Sequence, residues 1–237
     1  MKGRSLYEVL ETARWRRQPA VLADVKVRSP RDGDLIDTDR LDAYLDALVE
    51  GGVAALTTPT DPVYFAGGIE LTARIRARTQ LPLMRKEFFC TPSQLDESVA
   101  AGFDAVQLSV NTTAAGQLKR LRDHAERLGL EVLFGVHTRW HLDKALALDP
   151  VAVAVNNRNI VALEMDPGTV RITELLMPEM PSDVFVLSES AFFTADDVAR
   201  AAAAGAEAVL VGTALAKSDD PAALVRKLRD GAWLCPR

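Results

Sequence analysis

Short runs of β-branched and aliphatic residues recur along the chain, and each run ends in a polar or glycine-marked turn before an amphipathic helix begins. Successive runs start roughly 20 to 33 residues apart, which is the spacing typical of repeated βαβ units. The pattern predicts eight strands, at residues 21–26, 54–58, 81–85, 105–110, 131–136, 152–156, 184–188 and 208–211.

Helical patterns with apolar residues at three- and four-residue spacing fill the intervals between the strands. They are clearest at residues 38–50, 92–101, 114–128, 195–204 and 221–228. Thr91 and Asp220 each precede a proline, which predicts capped helix starts. Four glycines predict helix ends: Gly51, Gly102, Gly129 and Gly205.

No linker, charge block or low-complexity tract separates two cores. We therefore predict an α/β fold in which residues 1–237 form one (β/α)8 TIM barrel domain. Residues 1–19 are expected to form a short N-terminal helical segment of that domain.

Composition narrows the class of protein. The chain has 33 acidic and 28 basic side chains, and its net charge of -5 argues against nucleic acid as the main partner. No apolar stretch approaches the ~18 residues that a membrane span needs, and the N-terminus lacks signal-peptide character. Cys90 and Cys235 are too few for a disulfide framework. We expect a cytoplasmic protein, a monomer or weak homodimer, with no membrane or nucleic-acid partner.

Ionisable and amide side chains follow several of the predicted strands. In a closed parallel barrel the loops after the strand C-termini converge on one mouth, so these side chains are expected to share one pocket. The residues concerned are Lys26, Lys86, Asn156, Arg158 and Ser190.

The first and third strands carry candidate proton-transfer groups. Asp24 and Lys26 share one face of the first strand, because side chains alternate along a strand. A buried lysine beside a carboxylate can bind substrate or handle a proton, and a purely structural ion pair at the rim is the alternative. Within the Arg-Lys-Glu triplet of the third strand we expect Lys86 to point inward, the alternative being a solvated rim lysine.

The last three strands end in groups suited to anions. Asn156 and Arg158 offer an amide and a guanidinium that fits a carboxylate, although a loop of turn-forming asparagines is the alternative. Small residues after the seventh and eighth strands allow backbone amides to approach a phosphate. Ser190, Gly212 and Thr213 are the candidates there.

Six segments, taken in order, resemble the indole-3-glycerol phosphate synthase family: DVKVRSPRDG, TDPVYFAGG, LPLMRKEFF, VNNRNI, LSESA and VLVGTALAK. The resemblance covers nearly all of the chain from about Val21 onward. Members of this family are barrel enzymes that close a phosphorylated anilino-deoxyribulose into an indole, with loss of carbon dioxide and water. The family usually has a longer N-terminal extension over the barrel mouth, of which only residues 5–16 would remain here.

The resemblance implies catalytic roles for the matched positions. Lys86 would be the general acid that protonates the ketose oxygen. Lys26 would contact the substrate carboxylate and a sugar hydroxyl, helped by Arg158. Asn156 and Glu189 would hold the sugar hydroxyls and tune neighbouring groups.

The resemblance also implies how the substrate is held. Phe65 would pack against it near the mouth, although a plain core phenylalanine is the alternative. The phosphate would bind to Ser29, Ser190, Gly212 and Thr213. The family uses neither a metal nor an organic cofactor, and no metal-ligand spacing occurs in this sequence.

The fifth strand departs from the family pattern. There the family has a glutamate, its general base, two residues before a histidine, whereas this chain reads LFGVHT with Gly135 at the base position. A positioned base contributes ~10² to 10⁴ in rate, so the family reaction should be impaired unless another group substitutes. His137 shares the face of Gly135 and is one candidate, although the family also carries this histidine as a structural residue.

Other departures lie near the expected pocket. Asp24 stands where the family has a glutamate, and Ala191 replaces a glycine that follows Ser190. Gln107 and Ser109 share one face of the fourth strand, where the family has apolar residues. These changes predict a more polar pocket with narrower backbone access to phosphate.

Three functions remain open. The favoured hypothesis is a lyase or cyclase that acts on a related phosphorylated, anthranilate-type aryl-amino deoxyribulose in specialised metabolism, with altered base chemistry. The second is an ordinary indole-3-glycerol phosphate synthase of tryptophan biosynthesis, and the third is a non-catalytic homologue that binds a phosphorylated ligand. The neighbouring phosphoribosylanthranilate isomerase family is disfavoured, because it uses a cysteine that the first strand lacks.

Overall fold

The computed structural model describes residues 4–231, and eight parallel strands within them close into a barrel. The strands are β1 (Ala20–Asp24), β2 (Ala55–Pro59), β3 (Leu83–Lys86), β4 (Ala105–Ser109), β5 (Glu131–Val136), β6 (Ala152–Asn156), β7 (Phe185–Glu189) and β8 (Ala208–Val211). Each strand pairs with the next one along the chain, and β8 closes the barrel by pairing with β1. The predicted TIM barrel is confirmed.

Ten α-helices accompany the strands within residues 4–231. They are α1 (Leu6–Arg16), α2 (Leu41–Gly51), α3 (Ile69–Arg78), α4 (Pro92–Ala100), α5 (Ala115–Arg127), α6 (Arg139–Leu146), α7 (Arg171–Leu176), α8 (Ala195–Ala204), α9 (Thr213–Ala216) and α10 (Pro221–Gly231). A small antiparallel hairpin joins Arg28–Ser29 to Gly33–Asp34 after β1. No helix in residues 4–231 is long and apolar enough to cross a membrane.

Local side-chain chemistry explains several helix boundaries. The Gln94 carboxamide oxygen accepts the Thr91 backbone N–H at 2.9 Å, and the Asp220 carboxylate accepts the Ala223 N–H at 2.8 Å. Both contacts satisfy amides that have no partner inside the helix. At the end of α2 the left-handed residue is Gly52, with φ 85°, one position after the predicted Gly51.

Two apolar layers form the core. The outer layer lies between the strands and the surrounding helices. The inner layer fills the barrel near the strand starts and consists of Leu6, Leu10, Leu22, Ala55, Met84, Ala105, Leu133, Ala152, Ala154, Leu187, Ala208 and Leu210. Two of these side chains, Leu6 and Leu10, come from α1.

Helix α1 therefore closes the end of the barrel at which the strands begin. The Glu131 carboxylate at the start of β5 accepts the backbone N–H groups of Leu6 at 2.6 Å and Tyr7 at 3.0 Å. The Tyr7 hydroxyl donates to the Val132 carbonyl at 2.8 Å. The expectation that residues 5–16 are the remnant of a cover over the mouth is wrong, because this helix supplies apolar side chains to the opposite end.

Candidate active site

Strand alternation places the candidate polar residues directly above the inner apolar layer. On β1, β3, β6 and β7 an inner-layer residue is followed two positions later by a polar one on the same face. The pairs are Leu22 and Asp24, Met84 and Lys86, Ala154 and Asn156, and Leu187 and Glu189. The neighbouring Arg85 points to the helix side instead, where it donates to the Gln94 carbonyl at 2.8 Å. The inward orientation of Lys86 is thus confirmed.

Five charged side chains of alternating sign cross the barrel mouth, and we call them the charge row. In order they are Glu189, Lys86, Asp24, Lys26 and Glu164. The Lys86 Nζ lies 3.3 Å from Glu189 Oε2 and 4.0 Å from Asp24 Oδ2. The Lys26 Nζ lies 3.8 Å from the same Asp24 oxygen and 3.7 Å from Glu164 Oε2. Asp24 therefore bridges the two lysines.

Neutral donors hold the carboxylates of the charge row. The Thr57 hydroxyl donates to Asp24 Oδ1 at 2.6 Å, and the Gln107 amide donates to Glu189 Oε1 at 2.6 Å. The Ser190 hydroxyl donates to Glu164 Oε1 at 3.2 Å. In each carboxylate, one oxygen thus accepts a hydrogen bond from a neutral group and the other lies near a lysine ammonium. A proton could therefore pass between that second oxygen and the lysine.

The charge row shifts the acidity of its own members. Burial alone lowers the pKa of Lys86, but the nearby Asp24, Glu189 and Glu164 carboxylates outweigh burial and raise that pKa. Burial alone raises the pKa of Glu164, whereas Lys26, Lys86 and Arg158 lower it to about 2. Lys86 is therefore an ammonium group and Glu164 a carboxylate at neutral pH.

Two cavities adjoin the charge row. The first encloses about 640 Å³, part of it open to solvent, and the second about 340 Å³. Both are lined by Asp24, Lys26 and Lys86, so the two cavities adjoin each other at the middle of the charge row. A ligand that spans both cavities would lie across the two lysines.

The first cavity has a mixed wall. Its apolar lining comes from Pro59, Phe65, Phe88 and Ile160, and its polar lining includes Gln107, Ser109, Asn111 and Asn156. Phe65 is buried and lines this cavity, as expected for a residue that packs against substrate.

The second cavity is lined by Arg158, Ser190, Ala191, Phe192, Phe193, Gly212 and Thr213. Ser190, Gly212 and Thr213 are among the groups predicted to bind phosphate, whereas Arg158, predicted to help hold a carboxylate, lies beside them. The Thr213 hydroxyl is buried and has no hydrogen-bond partner within residues 4–231. The Arg158 guanidinium lies 5.6 Å from the Phe193 ring centroid, and burial together with nearby Arg31 lowers its pKa. One predicted phosphate ligand lies elsewhere: the Ser29 hydroxyl accepts the Asp32 N–H at 3.2 Å in the small hairpin and lines neither cavity.

Gly135 lines the first cavity, and the amide of Gln107 occupies the space beside it. A Cβ placed on Gly135 would lie only 2.9 Å from Gln107 Nε2. The space that a side chain at position 135 would enter is therefore filled by a neighbouring carboxamide. His137 Nδ1 contacts the Asn156 carbonyl oxygen at 2.8 Å, which ties its ring to the backbone of β6.

The sequence pattern missed Glu164. It lies in the loop after β6, where Leu163 and Glu164 both have left-handed backbone conformations, with φ of 52° and 56°. These conformations are uncommon for residues with a side chain, and here they turn the carboxylate into the mouth. The sequence contained no signal for this, because a loop glutamate outside any strand pattern is usually solvated.

Within residues 4–231, no cluster of three or more histidine, cysteine, aspartate or glutamate side chains is arranged to hold a metal ion. Cys90 is exposed, and Cys235 lies outside the described residues. The arrangement can bind an anion in the second cavity and can donate and accept protons along the charge row.

Comparison with known proteins gives a consistent match. The model of the family described as "Indole-3-glycerol phosphate synthase" matches residues 1–228. The chain is 36% identical over 209 residues to the indole-3-glycerol phosphate synthase of Thermococcus kodakarensis, covering 88% of this chain and 91% of that protein. It is 35% identical over 207 residues to the Pyrococcus furiosus protein of the same name, covering 87% and 90%. The Nocardioides sp. protein of that name is 38% identical over 209 residues, covering 88% and 79%.

Proposed function

This chain belongs to the indole-3-glycerol phosphate synthase family of carboxy-lyases, and on that premise we propose that it closes a phosphorylated arylamino-deoxyribulose into an indole with loss of carbon dioxide and water. The observation that carries the proposal is the charge row between two cavities, because it provides buried ammonium groups and carboxylates at one point of a long mouth. The ordinary family reaction is thus better supported than the altered chemistry expected from the sequence.

The cavities suggest how the substrate lies. The phosphate would occupy the second cavity, where Arg158 supplies a charge and Thr213 a hydroxyl that has no partner in residues 4–231. The aryl ring would then occupy the first cavity, against Phe65 and Phe88. In this orientation the ketose carbonyl falls at the charge row.

Lys86 is the acid for ring closure in this proposal. The ring carbon that bears the carboxylate attacks the ketose carbonyl carbon, and the carbonyl oxygen takes a proton from the Lys86 ammonium. The raised pKa of Lys86 ensures that its proton is present at neutral pH. Transfer becomes favourable as the ketone oxygen develops alkoxide character, because an alkoxide is more basic than an amine.

The remaining steps need one proton donor and one proton acceptor. The ring carboxylate leaves as carbon dioxide, and its electron pair restores the aromatic ring. The new hydroxyl then leaves as water with a proton from Lys26, while Asp24 takes a proton from the nitrogen-bearing carbon of the sugar chain. Asp24 suits this role because its Oδ2 lies within 4.0 Å of both lysines.

Loss of a carboxylate at Gly135 does not remove every proton acceptor from the mouth. Asp24 and Glu189 both line the first cavity and both contact Lys86. We infer that turnover persists with these carboxylates as acceptors, at a lower rate than a base at position 135 would give.

Steady-state assays with the anilino-deoxyribulose phosphate substrate and detection of indole fluorescence test this function. We expect indole formation by the wild type and a loss of at least about 10²-fold in kcat for Lys86→Met, because a general acid contributes that much or more. Lys119→Met is the matched control, since Lys119 is exposed on α5 and pairs there with Asp123, away from the barrel mouth. Substrate binding without indole formation would instead indicate the non-catalytic homologue.

A further inference from the structure

One wall of the first cavity is polar and comes from a single strand and the residues that follow it. Gln107 and Ser109 lie on the inner face of β4, and Asn111 follows two positions later. The apolar part of the lining comes from Pro59, Phe65, Phe88 and Ile160. An aryl ring in this cavity would therefore contact both hydrocarbon and hydrogen-bonding groups.

The orientation of the Gln107 carboxamide follows from its partner. The Glu189 carboxylate can only accept hydrogen bonds, so the nitrogen of Gln107 must face it, and the two atoms lie 2.6 Å apart. The carboxamide oxygen consequently points away from Glu189. Gln107 is only 8% exposed, and its oxygen has no hydrogen-bond partner within residues 4–231.

A second acceptor in the same wall is also unpartnered. The Asn111 carboxamide oxygen is buried and has no hydrogen-bond partner among the described residues. Buried acceptors in native proteins are normally paired, and leaving them unpaired is unfavourable. Two unpaired acceptors in the wall of one cavity indicate that its ligand brings a hydrogen-bond donor.

Gly135 is what allows this wall to form. Because Gly135 has no side chain, the Gln107 amide can lie where a Cβ would be only 2.9 Å away. Gly135, which stands where the family pattern has a carboxylate, therefore also leaves room for the Gln107 carboxamide. The residues at positions 135 and 107 depend on each other for this reason.

We propose that the aryl ring of the substrate carries a hydroxyl group that donates to Gln107 Oε1, with Ser109 and Asn111 completing the polar side of the subsite. This inference rests on the proposed function and names its substrate class: a ring-hydroxylated arylamino-deoxyribulose phosphate. The anilino N–H of an unsubstituted substrate is one donor and can satisfy only one of the two acceptors, Gln107 Oε1 or Asn111 Oδ1. A ring hydroxyl supplies the second donor.

The experiment compares three ring types: unsubstituted, hydroxylated at each free ring position in turn, and methoxylated at the same positions. Reduced, non-reactive alcohols of each ketose phosphate are used to measure Kd by calorimetry, and the ketoses themselves are used to measure kcat/KM. We expect one hydroxylated isomer to bind at least about tenfold more tightly than the unsubstituted ligand, since one hydrogen bond to a buried acceptor corresponds to about that factor. The methoxy isomer, which has no donor, should lose the preference.

Variants locate the effect. Gln107→Leu should bring the ratio of the two Kd values close to one, whereas Gln80→Leu, an exposed glutamine near the opposite end of the barrel, should leave the ratio unchanged. If the wild type binds no hydroxylated isomer more tightly than the unsubstituted ligand, the inference is overturned, whatever the variants show. If the unsubstituted ketose is nevertheless turned over, the proposed function stands while the inference fails. If the hydroxylated alcohol binds more tightly but no ketose is converted, the inference stands while the proposed function fails.

Discussion

Restoring a carboxylate by Gly135→Glu alone should not restore a base, although the sequence pattern by itself suggests that it would. The new Cβ would lie 2.9 Å from Gln107 Nε2 and 3.6 Å from Gln107 Cδ and Cγ. The rest of the glutamate must then enter the volume that the carboxamide occupies. To make room, the Gln107 side chain must move and break the hydrogen bond that it donates to Glu189 at 2.6 Å.

The expected cost has two parts. Losing a hydrogen bond to a charged group costs about 1.5–3 kcal/mol, and overfilling a packed site costs about 1–3 kcal/mol. We therefore expect Gly135→Glu to lower the free energy of unfolding by about 2.5–6 kcal/mol and to give no gain in kcat/KM. Combining it with Gln107→Ala should remove most of the overfilling, because alanine lacks the Cγ, Cδ and Nε2 atoms that crowd position 135, so that the two changes couple by about 1–3 kcal/mol.

A double-mutant cycle measured by urea unfolding and by indole formation checks this reasoning. The double variant should exceed the Gln107→Ala single variant in kcat/KM for the unsubstituted substrate by at least about tenfold, toward the ~10² that a positioned base contributes. A tenfold gain by Gly135→Glu alone, with unchanged stability, would refute the steric coupling. No gain in the double variant would show that the missing carboxylate does not limit the rate.

Three further predictions concern charge and backbone strain. Because the carboxylates around Lys86 raise its pKa, the ammonium form persists throughout the alkaline range, so kcat should stay level up to about pH 10; a fall near pH 8 would contradict this. The Glu164 carboxyl has a pKa depressed from 4.5 to about 2, so its stabilisation is present in full above pH 4.5 and disappears as the pH falls through about 2. Urea unfolding should therefore show Glu164→Gln to be less stable than the wild type by ~3 kcal/mol at pH 7, with the difference shrinking below pH 4.5. Ala191 has a left-handed φ of 64°, so Ala191→Gly should raise the unfolding free energy by about 0.5–1 kcal/mol, and a lowered Tm would argue against strain there.

Much of the barrel could be predicted from the sequence, because the strand pattern and the helix caps are local signals. The strands at residues 131–136, 152–156 and 208–211 agree with β5, β6 and β8 at both ends. The first strand was predicted at residues 21–26 but lies at Ala20–Asp24, so its predicted end is two residues too late. Lys26 follows the end of β1 and belongs to the segment that leads into the small hairpin. That hairpin joins pairs of only two residues, which are too short to show a hydrophobic period.

Some residues of the candidate site could likewise be predicted from the sequence, and one could not. Asp24, Lys86, Asn156 and Glu189 could be predicted because strand alternation and the common direction of the strands bring them to one mouth. Glu164 could not, because its inward direction depends on two left-handed residues in an irregular loop.

The end of the barrel at which α1 packs could not be predicted from the sequence either. Its amphipathic pattern shows that one face is buried, but the pattern does not tell at which end of the barrel that face packs. The hydrogen bonds from the Leu6 and Tyr7 backbone to Glu131, at the start of β5, show that α1 packs at the end where the strands begin.

We propose that the charge row drives ring closure with loss of both carbon dioxide and water. The decisive experiment is a single-turnover reaction of excess enzyme with the anilino-deoxyribulose phosphate, quenched over time and analysed by mass spectrometry. The wild type should yield a final product lighter than the substrate by one carbon dioxide and one water, and Lys86→Met should form that product at least about 10²-fold more slowly. Unconverted substrate in the wild-type reaction, or the same product and rate with Lys86→Met, would contradict it.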